Sequence, residues 1–161
     1  MVKSYLVETC RLFDEFDEKE KELLSEILNE IEFQKGDVIF DQGDKAEEVL
    51  FVREGRIGLY RSDNFGNWTK VALVNGGTPL GECSFFLETF HSLRAVAETD
   101  VKALSLSKEG YSYLKKEHIQ IAIGLLEVIA NVTSVRLKEE DKKFADIFCF
   151  FRTVGGEKWR K

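Results

Sequence analysis

Between residues 17 and 31, apolar side chains recur at Leu23, Leu24, Ile27, Leu28 and Ile31, the spacing of one helix face. Asp17 and Glu20 stand three apart at its start, as an N-cap and the partner that completes a capping box. The pattern predicts an amphipathic helix that opens the fold, preceded by a shorter helical stretch from Tyr5 to Phe13. From Phe33 onward the rhythm changes. Short β-favouring runs, "DVIF", "VLFV", "IGLY" and "KVALV", alternate with turn signals at Gly36, Gly43, Gly55, Gly66 and the pair Gly76 and Gly77. Connections this short leave no room for crossover helices, so the strands are expected to run antiparallel in a barrel or sandwich.

After "VKALSLS" the helical period returns. Ser107 is placed to cap a short helix over "KEGYSYLKKEH", and a longer helix begins at Ile119. Along it Ile121, Leu125, Val128, Val132 and Val135 step by fours and threes, a seam of two heptads. Such a stripe serves either a helix packed on its own barrel or a dimer. A second row, Ala122, Leu126 and Ile129, widens the surface so that one flank faces the barrel and the other a partner; a homodimer through the five-residue seam is the sharper expectation. The segment 144–161 is dense in Phe144, Phe148, Phe150 and Phe151, reaches Gly155 and Gly156, and ends basic with Lys158, Arg160 and Lys161. Continuing the helix, folding back and docking elsewhere all fit it; packing on its own core is favoured because large exposed aromatic patches are rare on monomers. The expected layout is one domain: helices over 1–32, a barrel over 33–107, helices over 108–143 and the aromatic and basic segment over 144–161.

Composition narrows the function. Of the 161 residues, 43% are hydrophobic and 32% charged, the balance of a globular protein, and the apolar runs are too short to suggest a membrane span. The net charge of -6 and an isoelectric point near 5.1 are the wrong sign for binding along a phosphate backbone, so nucleic acid is not expected as a partner. Acidic residues close to the first apolar patch do not resemble a signal peptide, which makes a cytoplasmic location the default. Cys10, Cys83 and Cys149 are widely spaced and form no metal-binding pair. With His91 and His118 as the two histidines, a metal-dependent cupin site lacks ligands. No nucleophile elbow or Walker loop appears, so neither an enzyme nor a metal or other cofactor is expected.

The stretch "LGECSFFLETFHSLRAVAET" carries the most specific chemistry. "FQKGDVIFDQGD" resembles the opening strand and turn of the cyclic nucleotide-binding domain family, "EEVLFVREGRIGLYR" resembles its hairpin, and "GGTPLGECSFF" resembles the start of its phosphate-binding cassette, here residues 80–94. The resemblance runs from about Leu12 to Glu139. It implies a jelly-roll-like antiparallel β-barrel with N-terminal helices and a long C-terminal helix, and a regulatory role in signal transduction with cyclic AMP or cyclic GMP as ligand. It also implies that Gly81 lets the chain approach the phosphate, that Glu82 accepts from the ribose 2′-hydroxyl, and that Cys83 and Ser84 lie in the first turn of a short helix whose main-chain donors, with the Ser84 hydroxyl, reach the ligand. Thr133 and Arg136 fall near the family's lid over the base.

One position departs from the family. Its Arg, a forked partner for the phosphate, is replaced by His91 on an ungapped count, with Phe90 before it. Three accounts follow. His91 itself binds the phosphate, with a pKa near 6.5 that a neighbouring anion raises; or Arg94 does so, beside Ser92 on one face of an extended segment; or the pocket no longer takes a cyclic nucleotide. In the last case the domain serves as a dimerisation or protein-docking scaffold. Too few residues follow Val135 for the helix-turn-helix module of catabolite-activator relatives, so the expectation is a stand-alone sensor whose output comes from a partner or self-association.

Overall fold

The computed structural model describes residues 7–155. They fall into two compact units, the first ending at Val128 and the second beginning at Ile129.

In the first unit, helix α1 (Glu18–Ile27) starts with the predicted capping box. The Glu20 N–H donates to Asp17 Oδ1 and the Asp17 N–H to Glu20 Oε2, both at 2.9 Å. Ahead of it, Tyr5 lies outside the described residues, and the helix expected to reach Phe13 is interrupted. Residues 7–8 are helical, and a 3-10 turn follows at Arg11–Phe13. That turn sets the Phe13 ring edge-on against Phe51 at 5.1 Å.

Eight strands follow: β1 (Asn29–Phe33), β2 (Val38–Phe40), β3 (Glu48–Glu54), β4 (Arg56–Ser62), β5 (Trp68–Asn75), β6 (Thr78–Leu80), β7 (Arg94–Ala97) and β8 (Val101–Ser107). They form two four-stranded antiparallel sheets, ordered β1-β8-β3-β6 and β2-β7-β4-β5, so the expected antiparallel architecture with flanking helices is present. Both sheets supply the core, through Leu50, Val52 and Val101 of one and Ile57, Val74 and Ala95 of the other. Each of the Leu, Val and Ile side chains among them contributes roughly 1.5–3 kcal/mol when fully buried. Strand β3 is buried on both faces, because Val49 and Phe51 turn away from that core and Phe51 is covered by Phe13. This explains why "VLFV" is apolar without alternation.

Helix α2 (Glu82–Phe86) bridges β6 and β7; α3 (Lys108–Glu117) follows β8, its N-terminus capped by Ser107, whose Oγ accepts from the Gly110 N–H at 3.1 Å. Helix α4 (Ile119–Gly155) begins in the first unit, where Ile121, Ala122 and Leu125 are buried. A Cβ at Gly124 would lie 2.9 Å from the Phe16 ring, so only glycine permits this approach. The five-residue seam expected to form a dimer is thus divided: Ile121 and Leu125 are core residues, while Val128 and Val132 are half-buried and Val135 is exposed. The reason is local, since helix α4 meets Phe16 of its own domain on that face.

In the second unit α4 runs unbroken to Gly155, past the boundary expected at 143. Residues 136–154 contain no Gly or Pro to stop it. Phe144, Phe148, Phe150 and Phe151 are all exposed, which overturns the expectation that they pack on the chain's own core. Gly156, Lys158, Arg160 and Lys161 lie outside the described residues. By length and composition alone Ile119–Val154 suffices to cross a membrane, which the short apolar runs did not suggest; its buried Ile121, Ala122 and Leu125 give the start of that helix the character of a core element.

Candidate functional site

Strand β6 ends at Leu80, and the chain enters α2 through Gly81, whose φ of 81° lies in the left-handed region. A Cβ there would come within 3.3 Å of His91 Cε1 and 3.5 Å of the Glu48 carbonyl oxygen. Glycine is therefore needed twice, for the turn and for the approach. Next to it Glu82 is only 5% exposed, at the first turn of a helix whose leading N–H groups have no intrahelical acceptor. Cys83 Sγ contacts Glu82 Oε1 at 3.6 Å, and Cys83 itself is exposed. The helix ends at Phe86, and beyond it the Ser84 carbonyl accepts from the Thr89 N–H at 2.9 Å, across Glu88, whose φ of 54° is the one positive value among non-glycine described residues.

The far end of the cassette is tied to the turn after β2. His91 N–H donates to the Asp44 carbonyl and Gly43 N–H to the His91 carbonyl, each at 2.8 Å, and Phe90 bridges to Lys45. The His91 side chain is 7% exposed and stacks on Phe40, with ring centroids 3.7 Å apart and planes within 10°. Burial pushes its pKa below the ordinary histidine value, and the charge of Asp44 opposes this without reversing it. The neutral form of the imidazole is thereby favoured in the folded protein.

Arg94 opens β7 and is occupied otherwise. Its Nε donates to Asp41 Oδ1 at 2.8 Å and its Nη2 to Asp41 Oδ2 at 2.5 Å, while the guanidinium lies 4.0 Å from the Trp68 ring centroid. The hydrogen bonds hold the Asp41 carboxyl below its usual pKa and raise that of Arg94. Ser92 is exposed in the bend before β7. The fold thus brings Gly81 and His91 together, with Glu82 adjoining, and commits the Arg94 fork to a carboxylate of the protein itself. Phe85 and Phe86 turn toward α3, where both rings meet Tyr111, at 6.0 and 5.4 Å, along a groove of about 320 Å³ that Lys108 and Lys115 also line. Phe90 is exposed. Thr133 and Arg136 belong to the second unit, three residues apart on α4 and both half-buried.

Three residues here escaped the sequence reading: Phe40, Asp41 and Trp68. Each lies far along the chain from its partner in the cassette, and no local spacing marks it. Among the described residues no cluster of His, Cys, Asp and Glu has the makings of a metal site.

The family model described as the cyclic nucleotide-binding domain matches residues 30–118, more than half the chain. The cyclic AMP receptor protein of Thermus thermophilus is 32% identical over 109 residues, which cover 68% of this chain and 49% of that protein. A lysophospholipase, NTE1, of Chaetomium globosum is 28% identical over 65% of this chain but only 7% of its own length. The present sequence thus spans about half of the first relative and a small part of the second. Among solved structures, a cyclic nucleotide-binding domain from Methylobacillus flagellatus superposes with a TM-score of 0.81 at 17% identity, over 90% of this chain and 85% of that one. This chain belongs to the cyclic nucleotide-binding domain family.

Proposed function

We propose that the chain is a non-enzymatic sensing module, soluble in the cytoplasm, whose ligand is cyclic AMP or cyclic GMP. The cyclic phosphate docks at Gly81 to Ser84, the ribose 2′-hydroxyl donates to Glu82, and His91 supplies the polar hydrogen of the phosphate anchor in place of an arginine. The observation that carries this reading is the buried carboxylate of Glu82 beside a left-handed Gly81 with the His91 ring against it. The packing of Phe85 and Phe86 against Tyr111 agrees with it, since neither ring is spent on plugging the cassette. Helix α4, which carries Thr133 and Arg136, is the element through which binding reaches a partner.

Calorimetric titration with cyclic AMP and cyclic GMP at about pH 6 and about pH 8, on either side of the ordinary histidine pKa, tests the reading. Saturable binding that tightens toward the lower pH is expected, because an anion favours the protonated ring. Glu82→Ala should weaken it by roughly 10- to 150-fold, the loss of one charged hydrogen-bonding partner. No binding up to millimolar ligand refutes the sensor. The scaffold reading then stands, and one observation already favours it: Arg94, the strong cation nearest the altered anchor in sequence, is held by Asp41.

A further inference from the structure

In the second unit, helix α4 changes character at residue 144. Residues 138–143, "KEEDKK", are all charged, and after them Phe144, Ile147, Phe148, Phe150, Phe151 and Val154 crowd into about three turns. All six side chains are strongly exposed, from 56% at Ile147 to 72% at Phe144. At 3.6 residues per turn they fill one arc of about 160°, with Asp146, Cys149 and Thr153 on the opposite side. A patch of this size is rare on a protein surface unless something covers it. Beyond the helix the sequence turns basic, in "EKWRK". Residues 144–161 hold four cations, Arg152, Lys158, Arg160 and Lys161, against two acids, Asp146 and Glu157, in a chain whose net charge is -6.

We propose that residues 144–161 dock the chain reversibly on an anionic lipid bilayer. The aromatic arc of α4 lies in the boundary between headgroups and acyl chains, and the basic residues face the lipid phosphates. Charge complementarity points to this occupant. An anionic surface attracts this segment and repels the acidic remainder of the chain, so the contact is confined to residues 144–161. Trp159, within the basic cluster, is a residue type enriched where lipid meets water. The width of the arc agrees. A groove on a protein takes a single row of anchors, which Phe144, Ile147, Phe148 and Phe151 would satisfy, whereas Phe150 and Val154 extend the apolar surface beyond that row. The segment lies on the bilayer and does not cross it. Residues 144–154 reach roughly half the thickness of a hydrocarbon core, the charged run 138–143 precedes them, and Ile121, Ala122 and Leu125 at the start of α4 belong to the barrel. The inference goes beyond the nucleotide reading and stands independently of it.

Co-sedimentation of the full chain with vesicles tests it. The chain should pellet with vesicles of phosphatidylserine and phosphatidylcholine in equal parts and far less with phosphatidylcholine alone, and added salt should release it. A chain that stays in the supernatant, or that binds both vesicles equally, overturns the proposal. Phe148→Glu with Phe151→Glu should abolish pelleting while the barrel melts as before; binding that survives both changes overturns it. Replacing Lys158, Arg160 and Lys161 by Ala leaves the helix untouched and should weaken binding on the order of 100-fold, at about 1 kcal/mol for each cation near the surface. Unchanged affinity there removes the electrostatic half of the argument and with it the proposal. In Trp68→Phe, which leaves Trp159 as the sole tryptophan, emission should shift to the blue on adding the anionic vesicles, and an unchanged spectrum counts against the assigned contact. If the chain ignores vesicles and sedimentation equilibrium instead shows a larger species that the phenylalanine changes dissolve, the arc is covered by protein and the proposal fails.

Discussion

The two ends of the cassette are built on different principles. At Gly81 and Glu82 the geometry is local: a left-handed glycine, a helix start and a carboxylate buried at its first turn, all within adjacent residues. At His91 to Arg94 nothing is local. The histidine ring rests on Phe40 and the arginine fork on Asp41, partners from the second strand and the turn after it. The leading end is set by residues that neighbour one another, while the trailing end is set by contacts with distant parts of the chain.

Breaking the trailing end at its support should have the largest effect. Phe40→Ala removes the ring under His91 and should cost about 2–3 kcal/mol, somewhat less than the roughly 3–5 kcal/mol of a fully buried phenylalanine because Phe40 is only half-buried. Denaturant unfolding measures it, and a loss below 0.5 kcal/mol, on the order of an ordinary surface substitution, would show that the stack does not hold the cassette. Next comes the leading end. Gly81→Ala forces a Cβ into a left-handed backbone and against the His91 ring, at a cost of roughly 1–2 kcal/mol. Since the same Cβ disturbs His91, its penalty should shrink in a Phe40→Ala background, where the ring is free to move; simple addition of the two penalties would mean that the ends are independent.

Acid should separate the ends more gently. The folded pKa of His91 is depressed by burial, so the unfolded chain binds the proton more readily. Its contribution to stability is complete above the unfolded value of about 6.5 and is lost as pH falls below it toward the folded pKa. Thermal melting between pH 8 and pH 5, values chosen to bracket about 6.5, should show this loss in the native chain and a shallower one in His91→Gln; identical slopes would remove His91 from the account. The smallest effect is expected between the two ends. Glu88→Gly relieves a left-handed conformation that side chains rarely adopt, and should stabilise the fold by less than about 1 kcal/mol once the greater freedom of the unfolded glycine is subtracted. A destabilised Glu88→Gly chain would show that the Glu88 side chain makes a contact worth more than the strain.

Much of the framework could be read before any coordinates, because it is set by neighbours in sequence. Asp17 and Glu20 cap α1 and Ser107 caps α3, since capping operates over three residues. The glycine turns and β-favouring runs marked an antiparallel barrel for the same reason. The long helix was legible as a helix but not in its division of labour. Ile121 and Leu125 share a heptad pattern with Val128, Val132 and Val135, and only the approach of Phe16 to Gly124 shows that the first two belong to the core. The aromatic segment was misjudged because composition argued for burial, whereas an uninterrupted run of helix-compatible residues carried it out as exposed helix.

By itself the sequence determined the order of helices and strands, the cassette's leading Gly81 and Glu82, and the absence of an arginine at position 91. Only the tertiary structure decided that His91 is buried on Phe40 with a depressed pKa, and that Arg94 is committed to Asp41 beneath the Trp68 ring. The physical reason is reach: turns, caps and periodicity act over a few residues along the chain. Desolvation and ion pairing depend instead on which distant segments the sheets bring within a few ångströms.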